Sequence, residues 1–169
     1  MTESLDNRIQ LPYRGDERTL LCGFLDFLRG TIEFKCAGLS EEDAVRPVLP
    51  SQLTTPAGIV KHLRWVEHYW FEVALAGRPS RAPFTRADPD ADWRIEPGET
   101  ISGLFADYAA QCTVSRELVA GLDLDHEVAF RGGEALSVRW VLIHMIEETG
   151  RHAGHLDAVR ELLDGVTGE

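Results

Sequence analysis

Residues 144–155 read HMIEETGRHAGH and set three of the chain's six histidines beside two glutamates. Imidazole and carboxylate are the side chains that hold borderline divalent cations and move protons near neutral pH. On an α-helix successive residues turn by about 100°, so residues four apart differ by only about 40°. Relative to Glu148, His144 falls near −40°, His152 near +40° and His155 near −20°, an arc of about 80°. Glu148 and His152, at i and i+4, can converge on one ion. The competing reading is a solvated face on which Glu147, Glu148, Arg151 and Arg160 are surface charges. The histidines stack on one side instead of scattering, which favours a site.

A cation needs a ligand from a second element. KHLRWVEHYWF offers His62 and His68. Ile59, His62, Val66, Tyr69 and Val73 recur at steps of three and four, which places His62 on or beside an inward stripe. His68 lies six residues further, about 120° around the helix, and is expected to face elsewhere. A lone histidine on such a stripe is ordinarily a satisfied core group. The facing Glu/His stripe makes His62 a candidate third ligand.

Other chemistry finds less support. Asp88, Asp90, Asp92 and Glu99 match positions 1, 3, 5 and 12 of a calcium loop, but Trp93 stands where that loop needs glycine, and Pro89 and Pro97 intrude. A solvated acidic loop is the expectation. Cys22, Cys36 and Cys112 are widely spaced and form no C-x-x-C pair, which reads as reduced, buried thiols. No phosphate-binding glycine loop or nucleophile elbow occurs.

Four long helices must position these residues. The first runs roughly from Asp16 to Ala37. A short turn can start at Ser40. The second opens with Thr55 as cap and Pro56 at its first position, carries Ile59, Leu63, Val66, Trp70 and Val73, and ends near Gly77. The third spans about Thr100 to Ala120, with Leu104, Phe105, Tyr108 and Leu118 inward. The fourth starts after Ser137 and ends near Gly165. Prolines 79, 83, 89 and 97 break up the connection between the second and third. The connection between the third and fourth contains HEVAF, a possible extended piece, but Gly132–Gly133 keeps it loop-like. The expected class is an all-α four-helix bundle with long crossover loops.

The net charge of −11 excludes nucleic acid as the main partner and disfavours anionic membrane. No apolar run approaches the roughly 20 residues of a membrane span. The opening MTESLDNRIQLPY lacks the layout of a signal peptide, so a cytoplasmic location is expected.

GIVKHLRWVEHYWF together with LSVRWVLIHMIEETGRHAGHLDAVRELLDG resembles the DinB-like superfamily, and more narrowly its actinobacterial branch. ERTLLCGFLDFLRGTIEFKCAGLSEED fits that branch too, so the resemblance covers nearly the whole chain. It implies one domain over residues 1–169, an up-down-down-up bundle, and a divalent metal, zinc or nickel, held by three side chains. Much of the superfamily uses one histidine on the second helix and an H-x-x-x-H pair on the last. The matching positions are His62, Glu148 and His152. Glu148 departs from the three-histidine pattern, although the related mycothiol-dependent maleylpyruvate isomerases also use histidine, glutamate and histidine. His144, His155 and Arg151 are left as candidates for orienting the site or contacting substrate.

The relatives include S-transferases and isomerases that use mycothiol or bacillithiol. The resemblance therefore implies an enzyme whose metal activates a small thiol toward an electrophilic substrate. Three protein ligands leave a position open, where a cation favours thiolate or holds hydroxide. Arg78, Arg81, Arg86, Arg139 and Arg151 are all candidates to meet thiol or substrate. The alternative is a non-enzymatic metal-binding or stress-response bundle. Such bundles often pair, and a homodimer is expected, with Trp65, Tyr69 and Phe71 serving either its face or the core.

Overall fold

The structure, a computed structural model, describes residue 8 and residues 10–167. The opening residues 1–7 and residue 9, on which part of the signal-peptide reading rests, lie outside it. Four long helices form, each opened by a small polar residue that accepts a hydrogen bond from the first turn. Asp16 caps α1 (Glu17–Cys36), Thr55 caps α3 (Pro56–Glu67), Thr100 caps α4 (Ile101–Ala120) and Ser137 caps α5 (Val138–Asp164). Ser40 caps a five-residue helix, α2 (Glu41–Val45). Gly165 ends α5 at a φ of 76°, a left-handed conformation that glycine adopts without steric cost.

α1 packs most extensively on α5 and α3 on α4, with α3 also against α5. This is the all-α bundle expected from the periodicity. Among the described residues no helix is long and apolar enough to cross a membrane. The core has two apolar clusters. One gathers Ile32, Ile59, Leu63, Leu104 and Leu156; the other gathers Leu25, Phe71, Val119, Leu142 and Met145. Between them in sequence fall Arg29 and Glu67, a bidentate buried pair at 2.8 and 2.7 Å.

Three features depart from the sequence reading. First, α3 continues as a π-helical segment, His68–Leu75. Its wider turn rotates the inward face, so His68, Phe71, Glu72 and Leu75 are buried while Val73 is only half-buried. Phe71 is therefore core and not a dimer face; Trp65 and Tyr69 are half-buried. Second, the connection before α5 is a hairpin. β1 (Glu127–Ala129) pairs antiparallel with β2 (Ala135–Ser137) through a turn in which Gly132 and Gly133 both have positive φ. Third, Arg160 is buried, donating to the carbonyls of Lys35 and Ala37 at the end of α1. It ties α5 to α1 and is no surface charge.

Candidate metal centre

His62 on α3 and Glu148 and His152 on α5 come together. One ligand atom from each lies within 4.8 Å of the others. Glu148 Oε1 stands 3.6 Å from His62 Nε2 and 3.3 Å from His152 Nε2. His152 is buried; His62 and Glu148 are half-buried. Among the described residues no lysine or arginine pairs with Glu148. The two imidazoles hold its carboxyl well below the usual carboxylate range, His152 first and His62 second, against the opposing effect of burial.

The orientation of His62 is fixed from outside the bundle. Its Nδ1–H donates to Asp92 Oδ2 at 2.7 Å. A carboxylate only accepts, so Nδ1 carries a proton and Nε2 is the ring nitrogen that faces Glu148. Burial alone would push the His62 pKa down, but the hydrogen bonds to Asp92 and Glu148 more than offset it and the net direction is up. The donor set is thus two imidazole nitrogens and an ionised carboxylate, and among the described residues no lysine or arginine pairs with any of the three. That composition fits zinc or a similar divalent ion, for which histidine and carboxylate ligands are ordinary.

The other sequence candidates fall in different places. His144 sits one turn before Glu148, stacked on Trp140 with centroids 5.0 Å apart and edge-on to Trp70 at 4.5 Å. His155 is exposed, its Nδ1 3.4 Å from Nδ1 of His152. Burial, then the neighbouring His152 and Arg151, move its pKa down. Arg151 is exposed and paired with Glu147. Arg139 pairs with Glu17 and Asp125, while Arg78 and Arg81 pair with Glu72. None of these arginines contacts the three candidate ligands. Burial pushes the thiols of Cys36 and Cys112 up to about 12, so neither supplies a ready nucleophile.

Two residues of the site were missed by sequence reasoning. Asp92 is 3% exposed, not part of a solvated loop. Trp93 lies flat on His62, with centroids 4.0 Å apart and planes 17° apart, and tilts against His152 at 5.4 Å. The signal available was Trp93 itself, the one tryptophan in a charged, proline-rich connection.

No curated protein matches the chain. A family model described as Mycothiol-S-transferase matches residues 20–165, a span that takes in His62, Glu148 and His152, and the chain belongs to that family.

Proposed function

We propose that this chain is a divalent-metal-dependent transferase that joins the sulfur of a low-molecular-weight thiol, mycothiol, to an electrophilic carbon. The observation that carries the reading is the convergence of one ligand atom each from His62, Glu148 and His152 within 4.8 Å, with no lysine or arginine paired to them among the described residues. Membership of the Mycothiol-S-transferase family supports the choice of thiol. Zinc is the expected ion, with nickel the alternative, because the borderline N and O donors suit both.

A divalent cation held by His62, Glu148 and His152 would supply a Lewis acid that favours the thiolate form of a thiol. The chain's own groups do the rest of the positioning. Glu148 contributes one negative charge to the donor set. His62 and His152 would each present a ring nitrogen to the ion. Trp93 covers the rings of both histidines and limits access of water to them. In the transfer, the sulfhydryl proton leaves to solvent, a sulfur–carbon bond forms, and the electron pair of the bond broken at carbon departs with the leaving group.

The test has two stages. Purified protein is assayed for metal beside a His62→Ala/His152→Ala variant, which should lose the ion. Conjugates of mycothiol with a panel of electrophiles are then sought by mass spectrometry. Equal metal content in both proteins removes the site. Metal without conjugation in any pairing keeps the site and removes the transferase, leaving the metal-binding bundle as the surviving reading.

A further inference from the structure

The crossover from α3 to α4 was read as a solvated acidic loop, yet its middle is folded onto the candidate ligands. Asp92 Oδ2 accepts from His62, while Asp92 Oδ1 is buried without a hydrogen-bond partner. Trp93, the next residue, stacks on the same imidazole. The segment is fastened to α3 at two points just before His62 in sequence. Lys61, one residue before it, donates to the Arg94 carbonyl at 2.6 Å and to Glu99 at 2.7 Å. One turn earlier, a Cβ on Gly58 would stand 3.0 Å from the Trp93 carbonyl oxygen and 2.4 Å from that of Leu53, so only glycine admits the crossover this close. Asp88 pairs with Arg94 and closes the segment on itself.

We propose that residues 88–99 act as a strap that pre-sets His62 as a ligand, with Asp92 as its positioning residue and Trp93 as a clamp on the ring. An unrestrained imidazole rotates about its ring torsion and exchanges tautomers, and binding an ion must then order it. Here the carboxylate fixes the proton on Nδ1 and raises the basicity of Nε2, the arrangement by which outer carboxylates strengthen histidine ligands. The stacked indole removes the remaining rotation. Asp92 and Glu148 also bring carboxylates to the two nitrogens of a single ring, and among the described residues neither has a lysine or arginine partner. The affinity for the ion is therefore set by the crossover as well as by the ligands.

This inference rests on the metal reading above, and its test separates the two. Zinc affinity is measured by competition with a chromophoric chelator in the full-length chain and in Asp92→Ala, Asp92→Asn, Glu117→Gln and His62→Ala. Removing an outer-shell partner weakens binding by about 10- to 100-fold. Asp92→Ala should fall in that range. Asp92→Asn should fall at its lower end, since an amide oxygen still accepts from Nδ1–H without the charge. Glu117→Gln, which alters an exposed carboxylate on α4 outside the strap, should leave the affinity unchanged. Asp92→Asn preserves side-chain volume and decides the matter if Asp92→Ala does not fold. Zinc uptake abolished in His62→Ala but unaltered in Asp92→Asn overturns the strap alone. So does a loss in Glu117→Gln as large as that in Asp92→Asn. A native chain that takes up no zinc overturns the metal reading and the strap together.

Discussion

Two histidine–carboxylate pairs at helical i,i+4 spacing are in contact among the described residues, and they have opposite fates. His68 and Glu72 lie on the π-helical segment; Glu148 and His152 lie on α5. Glu72 is saturated. Its oxygens accept from His68 Nδ1, Gln111 Nε2, Arg78 Nη1 and Arg81 Nη2, all between 2.9 and 3.0 Å. His68 is saturated as well, because its Nε2 accepts from the Arg81 backbone N–H at 3.0 Å. Burial raises the Glu72 carboxyl, but the bonds from His68, Gln111 and Arg78 win and bring it down to about 2. Glu148 is lowered too, yet it has only two imidazole nitrogens at longer range and no guanidinium. The same residue types at the same spacing make a structural knot where four donors surround one carboxylate, and a candidate site where ligand atoms converge with no guanidinium among them.

The knot should break hardest. Glu72→Ala leaves His68, Gln111 and two arginines without their shared acceptor. Removing one partner of a buried ionic network costs about 3–5 kcal/mol. For a chain of this size each kcal/mol is worth about 2–4 °C, so the melting temperature should fall by about 6–20 °C. Zinc uptake per folded chain should persist. A melting temperature within a degree or two of the native chain would show that Glu72 is incidental, and lost zinc uptake would show that the two clusters are not separable.

Acid should attack the same point more gently. The Glu72 carboxyl sits at about 2 in the fold against 4.5 when free. A depressed carboxyl stabilises the fold above its free value and loses that contribution as pH falls toward the folded value. The window is therefore pH 4.5 down to about 2. At about 1.4 kcal/mol per unit, Glu72 accounts for up to about 3 kcal/mol across it. Glu148 adds loss in the same direction. Urea melts at stepped pH should show Glu72→Gln less stable at neutral pH and flatter through this window than the native chain. Parallel curves for the two proteins would assign the acid loss elsewhere.

The open cluster should respond to ligand instead. An ion at 100 times its dissociation constant stabilises the fold that binds it by about 2.7 kcal/mol. With the same conversion, saturating zinc should raise the melting temperature by about 5–10 °C and a chelator should reverse the rise. His62→Ala/His152→Ala should show neither. An identical rise in the double variant would place the ion outside this cluster.

The contrast also marks where sequence reasoning holds. His62, Glu148 and His152 were legible because a helix fixes the direction of every side chain from its spacing, and Thr55 and Ser137 announce where those helices begin. The bundle followed for the same reason. The His68–Glu72 knot was hidden because a π-helical turn breaks the 3.6-residue period on which the face of Val73 was assigned. The hairpin was hidden because three-residue strands are too short to show alternation. Asp92 and Trp93 lie in a segment with no period. Their place is set by the Lys61 contacts and by the space at Gly58, which are tertiary facts.

Arg151 supplies the smallest and most discriminating effect. It shares α5 with both ligands and sits directly before His152, so by sequence proximity it belongs to the site. Its side chain is 59% exposed and its partner is Glu147, one turn back on the same helix. Exposed pairs at this spacing are worth about 0.3–0.5 kcal/mol and are screened by salt. Arg151→Ala should shift the melting temperature by no more than about 2 °C and leave zinc affinity unaltered. Conjugation kinetics then separate the roles left to it. An unchanged KM and kcat make Arg151 surface charge. A raised KM for the thiol with kcat preserved makes it a contact for the thiol's distal portion, reached by leaving Glu147. A weakened zinc affinity would contradict the geometry, because no contact of Arg151 reaches the three converging atoms.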